Sequence, residues 1–345
     1  MMLVQRILAA AGQVWPPFVL VAGLLLIGGV AAADGLFEAI GARLARAPVP
    51  PRALLVALLG LVALVTAVLN LDTSVVFLTP VLVHAARGRG LDERPFLYGS
   101  VFMSNSASLL LPGSNLTNLL VLRHDPISGA AFALAMLPAW LLACALTAAF
   151  LALAYRLEDR PQDERYSPPL RLGLGAAATL AAATLVLVLP NAALPVLAVG
   201  LAATALRRLR PGLDLRVLAF LFALAVGLGT LARAWNGPTQ LLESSGQSAT
   251  AAIAAIGSLL LNNLPAAVLF SAQPPPHPRA LLLGLDLGPN LAVTGSLSAF
   301  LWLQAARTVN ANASIVSYTK FGALLVPLTL AGTLAALALH SPHAI

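Results

Sequence analysis

Eight stretches of mostly apolar residues, near 16–35, 95–122, 130–155, 170–189, 193–207, 217–235, 279–303 and 314–339, alternate with short clusters of arginine. A bilayer-crossing helix needs about 20 such residues. A water-soluble fold of 345 residues cannot hide eight of them. Composition agrees: 10% of residues are charged, against about 25% in soluble domains. The single cysteine, Cys144, excludes a disulfide scaffold and a multi-cysteine metal site. The net charge of +7 does not point to nucleic acid, because its arginines sit between apolar runs rather than on one polar face. The start of the chain is too weakly apolar before Trp15 for a standard signal peptide and is expected to be an interfacial lead-in.

Two further apolar stretches, 53–87 and 248–273, are interrupted in the middle. The first breaks at Leu-Asn-Leu-Asp-Thr-Ser (69–74), the second within Leu-Leu-Leu-Asn-Asn-Leu-Pro (259–265). Each arm of the first has about 14–17 residues, short for a crossing, and arginines flank both ends: Arg46 and Arg52, then Arg87 and Arg89. A re-entrant hairpin with both ends in the cytoplasm and a polar tip at mid-membrane satisfies both facts. Non-helical backbone at that depth is tolerated inside protein or beside water. Alternation from this anchor places fifteen arginines inside and four (Arg6, Arg123, Arg233 and Arg279) outside, a strong positive-inside bias. Both termini are then extracytoplasmic, in the inner membrane of a bacterium.

The interruptions repeat. Leu69-Asn70-Leu71 matches Leu261-Asn262-Asn263, and Gly113-Ser114 matches Gly295-Ser296. Five crossings separate the hairpins, so the second copy is expected to be inverted, as in many secondary transporters. Residues 1–156 form the first repeat, 157–169 a cytoplasmic linker and 170–345 the second repeat. The second has three spans before its hairpin and the first has one, as if a helix pair were missing at the start. The expected fold is an all-α polytopic membrane protein with about eight crossings, two re-entrant hairpins and two broken helices.

A broken helix exposes free N–H groups at one end and free carbonyls at the other. Asn70, Asp72 and Thr73, with Gly113, Ser114, Asn115 and Thr117, supply polar groups in the first half. Asn262, Asn263, Thr294, Gly295 and Ser296 do so in the second. Asp72 is either a proton or cation carrier or a helix cap; a second acid, Asp286, lies either deep or at the interface. Asp34 and Glu38 are expected in a solvated turn, Arg233 as an outer anchor, and His84 as solvated or packed. No spaced acid pair, Ser–His pair or metal-ligand cluster lies within the spans, so an enzyme is not expected, and no cofactor beyond a coupling ion, H⁺ or Na⁺.

Residues 70–122 and 262–303 resemble the arsenite/antimonite efflux permease (ArsB-type) branch of the ion transporter superfamily, which also holds sodium/proton antiporters and sodium–dicarboxylate carriers. The resemblance runs from about residue 18 to the end. It implies a scaffold and a mobile transport domain moving as an elevator. One half-site would lie at 70–73 and 113–117, the other at 262–265 and 294–296. It also allows a homodimer and a cytoplasmic ATPase partner. The sodium-coupled carriers have Ser-Asn-Thr at both tips; here the tips read Asn-Leu-Asp-Thr and Asn-Asn-Leu-Pro, which favours the permease branch. The leading expectation is proton-coupled efflux of arsenite, antimonite or a similar small oxyacid. The alternatives are coupled uptake of an organic or inorganic anion, or Na⁺/H⁺ antiport.

Overall fold

The computed structural model describes residues 2–123, 127–158, 173–189, 191–210 and 215–340. Within them every regular element is helical. Most of the expected linker 157–169, with Arg160 and Arg165, lies outside the described residues, as does Arg171. Helices α1 (Met2–Ala33) and α2 (Leu36–Arg46) lead into a hairpin of α3 (Pro51–Val68) and α4 (Leu71–Arg87). A broken helix follows, α5 (Arg94–Ala107) and α6 (Leu116–Leu122), then α7 (Gly129–Ala154). After α8 (Leu174–Val188) and α9 (Ala193–Leu206) the same order returns: α10 (Leu215–Ala232), the short α11 (Gly237–Glu243), a hairpin of α12 (Gln247–Leu261) and α13 (Asn263–Phe270), a broken helix of α14 (Pro278–Leu287) and α15 (Leu297–Thr308), and α16 (Ile315–His340).

Five of these helices, α1, α3, α7, α10 and α16, are long and apolar enough to cross a membrane, and α8, α9 and α12 are shorter apolar helices. Their outward faces carry large exposed apolar side chains, among them Leu134, Leu153, Leu180, Phe220 and Leu324. Such a surface is stable only against lipid or protein. This is the architecture of a multi-pass membrane protein.

Small residues set the closest approaches, as they do where membrane helices meet without a hydrophobic drive. A Cβ at Gly23 would stand 2.7 Å from the Leu197 nitrogen of α9, and one at Gly175 of α8 would stand 2.4 Å from the Ala31 Cα. On the other side Gly284 and Gly288, four apart, seat α14 on α12: added Cβ atoms would lie 2.1 Å from Ala251 O and 2.6 Å from the Ala255 Cα.

The packing of the two halves is reciprocal. The second arm of the first hairpin, α4, lies on α15; the second arm of the other hairpin, α13, lies on α6. The two unbroken helices that follow, α7 and α16, pack on each other.

Several expectations change. The start of the chain is not a separate lead-in: α1 is continuous from Met2, with Trp15, Pro16 and Pro17 inside it. Its early turns are held by packing, since Ala10, Gln13 and Val14 are buried and Gln13 donates to the Ser271 carbonyl at 3.0 Å. Arg233, just past α10, donates to the Gln13 side chain and to the Gly229 carbonyl at 2.8 Å, so it ties α10 to α1. Asp34 is not solvated. Its side chain is 2% exposed, pairs with Arg207 and accepts from the Gly175 N–H at 2.8 Å. Glu38 and His84 are exposed.

The first hairpin has 18 and 17 residues in its arms, at or just above the top of the range its sequence suggests. Arg89 Nη1 donates to the Val49 carbonyl at 3.0 Å, so both ends of this hairpin lie together.

Candidate functional site

Four half-helices begin on an Asn or Ser. Asn70 Oδ1 accepts from the Thr73 N–H at 2.7 Å and caps α4. Asn115 accepts from the Thr117 N–H at 3.2 Å and caps α6. Asn262 accepts from Leu264 at 3.3 Å and caps α13, and Ser296 accepts from Ala299 at 3.3 Å and caps α15. An N-cap side chain answers a backbone N–H that no helix bond can reach. The cap of the first hairpin is therefore Asn70. Asp72 sits in the first turn of α4, half-buried and without a hydrogen bond.

The caps also correct the internal alignment. Asn115 and Ser296 share an extended conformation, φ −146° and −153°. The structural match thus sets Asn115 on Ser296, one residue later than the Gly-Ser pairing suggests. Gly113 lies in a 3-10 turn, Pro112–Ser114, and Gly295 in another, Val293–Gly295.

Ser114 is turned into its own loop, donating toward the carbonyls of Ser108 and Leu111 at 2.5 Å each. Asn118 closes the same loop by donating to Ser108 O at 2.7 Å and Leu111 O at 3.2 Å. In the second half, Asn262 Nδ2 donates to the Thr294 carbonyl at 3.1 Å, tying the hairpin tip to the broken helix. Asn263 is buried beside it. On α1 a Cβ added at Gly28 would stand 2.2 Å from the Thr73 methyl, so the glycine makes room for this side chain.

Between the halves lies a polar belt that the sequence did not single out. Asn105 Nδ2 donates to Asn290 Oδ1 at 2.7 Å, and Ser298 Oγ donates to Asn105 Oδ1 at 3.5 Å. Ser296 and Ser298 share a hydrogen at 2.7 Å. Within the first half the belt continues along α5 and α4: Ser104 donates to Ser74 at 3.3 Å, and Ser100 shares a hydrogen with Thr79 at 2.9 Å. The signal was present: Ser100, Ser104 and Ser108 recur every fourth residue, which puts the first two on one face of α5 and the third at its C-cap.

Asp286 is fully buried, not interfacial. Its Oδ1 accepts from Asn115 Nδ2 at 2.7 Å and Thr117 Oγ1 at 2.8 Å. The structure thus joins Asn115 and Thr117 to Asp286, and Asn262 to Thr294. A cavity of about 270 Å³ opens beside α6, lined by Gln13, Pro112, Leu119, Arg123 and Asn191 among others.

Among the buried polar atoms of the described residues, Asn70 Nδ2, Thr73 Oγ1, Asn118 Oδ1 and Asp286 Oδ2 have no hydrogen-bond partner, and neither do Thr66 Oγ1 in α3 and Thr250 Oγ1 in α12. Buried polar groups are nearly always paired. Four exceptions at the helix breaks, in an otherwise apolar body, mark where a ligand or ion would complete the bonding.

No curated protein matches the chain in sequence. Among solved structures it is similar to the YdaH transporter of Alcanivorax borkumensis, described as having an unusual topology. The identity is 14% and the TM-score 0.58, over 99% of this chain and 89% of that one. At that identity the likeness shows a shared fold. Neither comparison singles out the arsenite-permease branch that the motifs resemble. Residues 1–301 match the family described as citrate transporter, CitMHS. That match covers both hairpins, the whole of the first broken helix and the second as far as the start of α15, and the chain belongs to the CitMHS citrate transporter family.

Proposed function

We propose that this secondary transporter carries a small, oxygen-rich carboxylate of the citrate class, using a site between the hairpin tips and the broken helices. The observation that carries this reading is at the first tip. Asn70 Nδ2 and Thr73 Oγ1 are buried donors without acceptors at the N-terminus of α4. A carboxylate oxygen answers both donors and meets the positive end of a 17-residue helix. No Lys or Arg lies within 69–74, 108–118, 262–265 or 288–296, so amides, hydroxyls and backbone N–H groups do the recognising. That same chemistry suits As(OH)₃, a neutral polyol, so arsenite or antimonite efflux is the second reading.

Proteoliposomes containing the purified chain separate the two. Labelled citrate or succinate is expected to exchange across the membrane, with arsenite flux at background. Arsenite flux without carboxylate flux would reverse the order of the readings. Asn70→Ser keeps a capping oxygen but removes the amide donor. It is expected to raise KM for the carboxylate about tenfold, the value of one lost hydrogen bond to a charged group, with kcat little changed.

We also read the second repeat as inverted, with both hairpins re-entrant and both termini extracytoplasmic. In a Cys144→Ala background, cysteines at the exposed Pro48 and Arg94 should react only from the cytoplasmic side. A cysteine at the exposed Ser248 should react only from the other. Gly90 is avoided because at φ +65° it takes a side chain only with strain. Labelling of Pro48→Cys and Ser248→Cys from one side would remove the inversion.

A further inference from the structure

Ten residues before the cap of each broken helix stands a side chain that crosses to the other half: Asn105 before Asn115, and Asp286 before Ser296. Asn105 meets Ser298, two residues past the opposite cap. Asp286 meets Thr117, also two residues past the opposite cap, and the cap Asn115 itself. One seat in a two-fold arrangement therefore holds an amide in the first half and a carboxylate in the second.

The two seats differ in completeness. Asn105 uses both ends of its amide, donating to Asn290 and accepting from Ser298. Asp286 uses one oxygen, and its Oδ2 is buried without a partner. Ser108, whose hydroxyl donates to the Asn105 carbonyl at 2.8 Å, borders this carboxylate, and so does Asn118. Its two bonds to the Ser108 and Leu111 carbonyls fix which way its amide points, and its Oδ1 is left buried without a donor. Two acceptor oxygens on neighbouring residues thus lack a hydrogen. A buried, unpaired anionic oxygen costs several kcal/mol. One proton on Asp286 removes the charge and supplies a donor.

We propose that Asp286 is the proton-carrying residue of this transporter, loaded and unloaded as its half-site is opened to one side and then the other. The proposal rests on the secondary-transport reading above. The proton comes from water on one face, occupies Oδ2, and leaves to water on the other face, so charge and atoms balance without a further reactant.

The surroundings hold no cation against Asp286. Of the elements packed on α14, helices α6, α12 and α13 carry no ionisable side chain. On α5, Arg94 pairs with Asp92, and Tyr98 bonds to the Ser314 backbone. On α16, Tyr318 donates to the Pro289 carbonyl at 3.0 Å and Lys320 is exposed; His340 is the last residue of that helix. On α14 itself Arg279 stands two turns away, about 10 Å along the axis. A metal ion fits less well than a proton, because Asn115 and Thr117 aim hydrogens at the same carboxylate. Asp72, the other acid at the breaks, makes no such contacts.

Asp286→Asn is expected to fold, since Asn105 shows that an amide fits this seat. The variant imitates the protonated state permanently. In proteoliposomes it should retain measurable exchange of labelled citrate for citrate. It should fail to accumulate citrate above the equilibrium level under an imposed pH gradient, and a trapped pH dye should report no proton movement. Asp72→Asn, whatever its rate, should still couple citrate accumulation to the pH gradient. Gradient-driven accumulation by Asp286→Asn, its loss only in Asp72→Asn, or accumulation in the unmodified protein that follows sodium and ignores pH would each overturn the proposal.

A substrate-free measurement separates this from the choice of substrate. Infrared pH-difference spectra of the purified protein should show a buried carboxylic acid band. That band should persist in Asp72→Asn and vanish in Asp286→Asn. If citrate does not move but the band behaves this way, the citrate reading fails and the proton site stands. A band that persists in Asp286→Asn, or is absent from the unmodified protein, overturns the site whatever the substrate.

Discussion

Gly322→Ala is expected to abolish transport and to lower the thermal unfolding midpoint in detergent. A Cβ at Gly322 would stand 1.8 Å from the Asn290 carbonyl oxygen, 2.8 Å from its carbon and 3.1 Å from the Leu291 Cα. All three atoms are backbone, so no rotamer change relieves the overlap. Helix α16 must move off the turn at 288–291, or that turn must move. Overpacking of this kind costs about 1–3 kcal/mol, occasionally more. The displacement carries a second cost. Asn290 is the residue that Asn105 holds across the two halves at 2.7 Å. Pulling it away strands two buried amides, each at about 1–3 kcal/mol. Gly332 on the same helix is the control. Its added Cβ would meet the ends of Leu146 and Leu142 at 2.8 and 3.3 Å, which can rotate away. Gly332→Ala should therefore stay near the parent in both assays. Equal behaviour of the two variants would mean that the close approach of α16 does not hold the broken helix in place.

The hairpins and broken helices were legible because a polar residue inside an apolar run is costly in a membrane and stands out. Asn70 and Asn262 announce the tips, and Pro112-Gly113 and Gly288-Pro289 announce the breaks. What could not be read were partnerships across the chain. Asp34 looks like a surface turn residue until Arg207 and Gly175, 173 and 141 positions away, are brought to it. The full length of α1 depends likewise on Gln13 reaching Ser271, 258 positions away. The one-residue error in the internal alignment has a different cause. Identity drew Gly113-Ser114 onto Gly295-Ser296, whereas backbone geometry pairs the residues that cap, an Asn in one half and a Ser in the other. Asn and Ser are interchangeable as caps, so similarity of letters was the wrong guide. The same slip hid Asn105, because only the corrected register puts it opposite Asp286.

Asn262→Gly is expected to leave the protein as stable as its parent, or more so, while cutting transport sharply. Asn262 lies at φ +80° and ψ 148°, close to a region that essentially only glycine occupies. Holding any other residue there costs about 1–3 kcal/mol. Glycine removes that strain and loses only a few tenths of a kcal/mol as a cap, set against about 0.5–1 kcal/mol for its greater freedom in the unfolded chain. Stability is therefore expected to hold or rise. Function depends on a different contact. Asn262 Nδ2 donates to the Thr294 carbonyl at 3.1 Å, and this bond joins the second hairpin tip to the turn that precedes α15. Asn262 is half-buried and Thr294 exposed, whereas Asn70 at the first tip is fully enclosed. The Asn262–Thr294 bond thus closes the more accessible of the two tips. Without it the tip should seal poorly around a carboxylate, and KM should rise more than kcat falls. Asn262→Ala is the companion variant: it keeps the strain and loses the same bond, so it should be less stable than the glycine variant and equally impaired. A glycine variant that transports like the parent would show that strain at this tip serves a purpose other than holding the Thr294 bond.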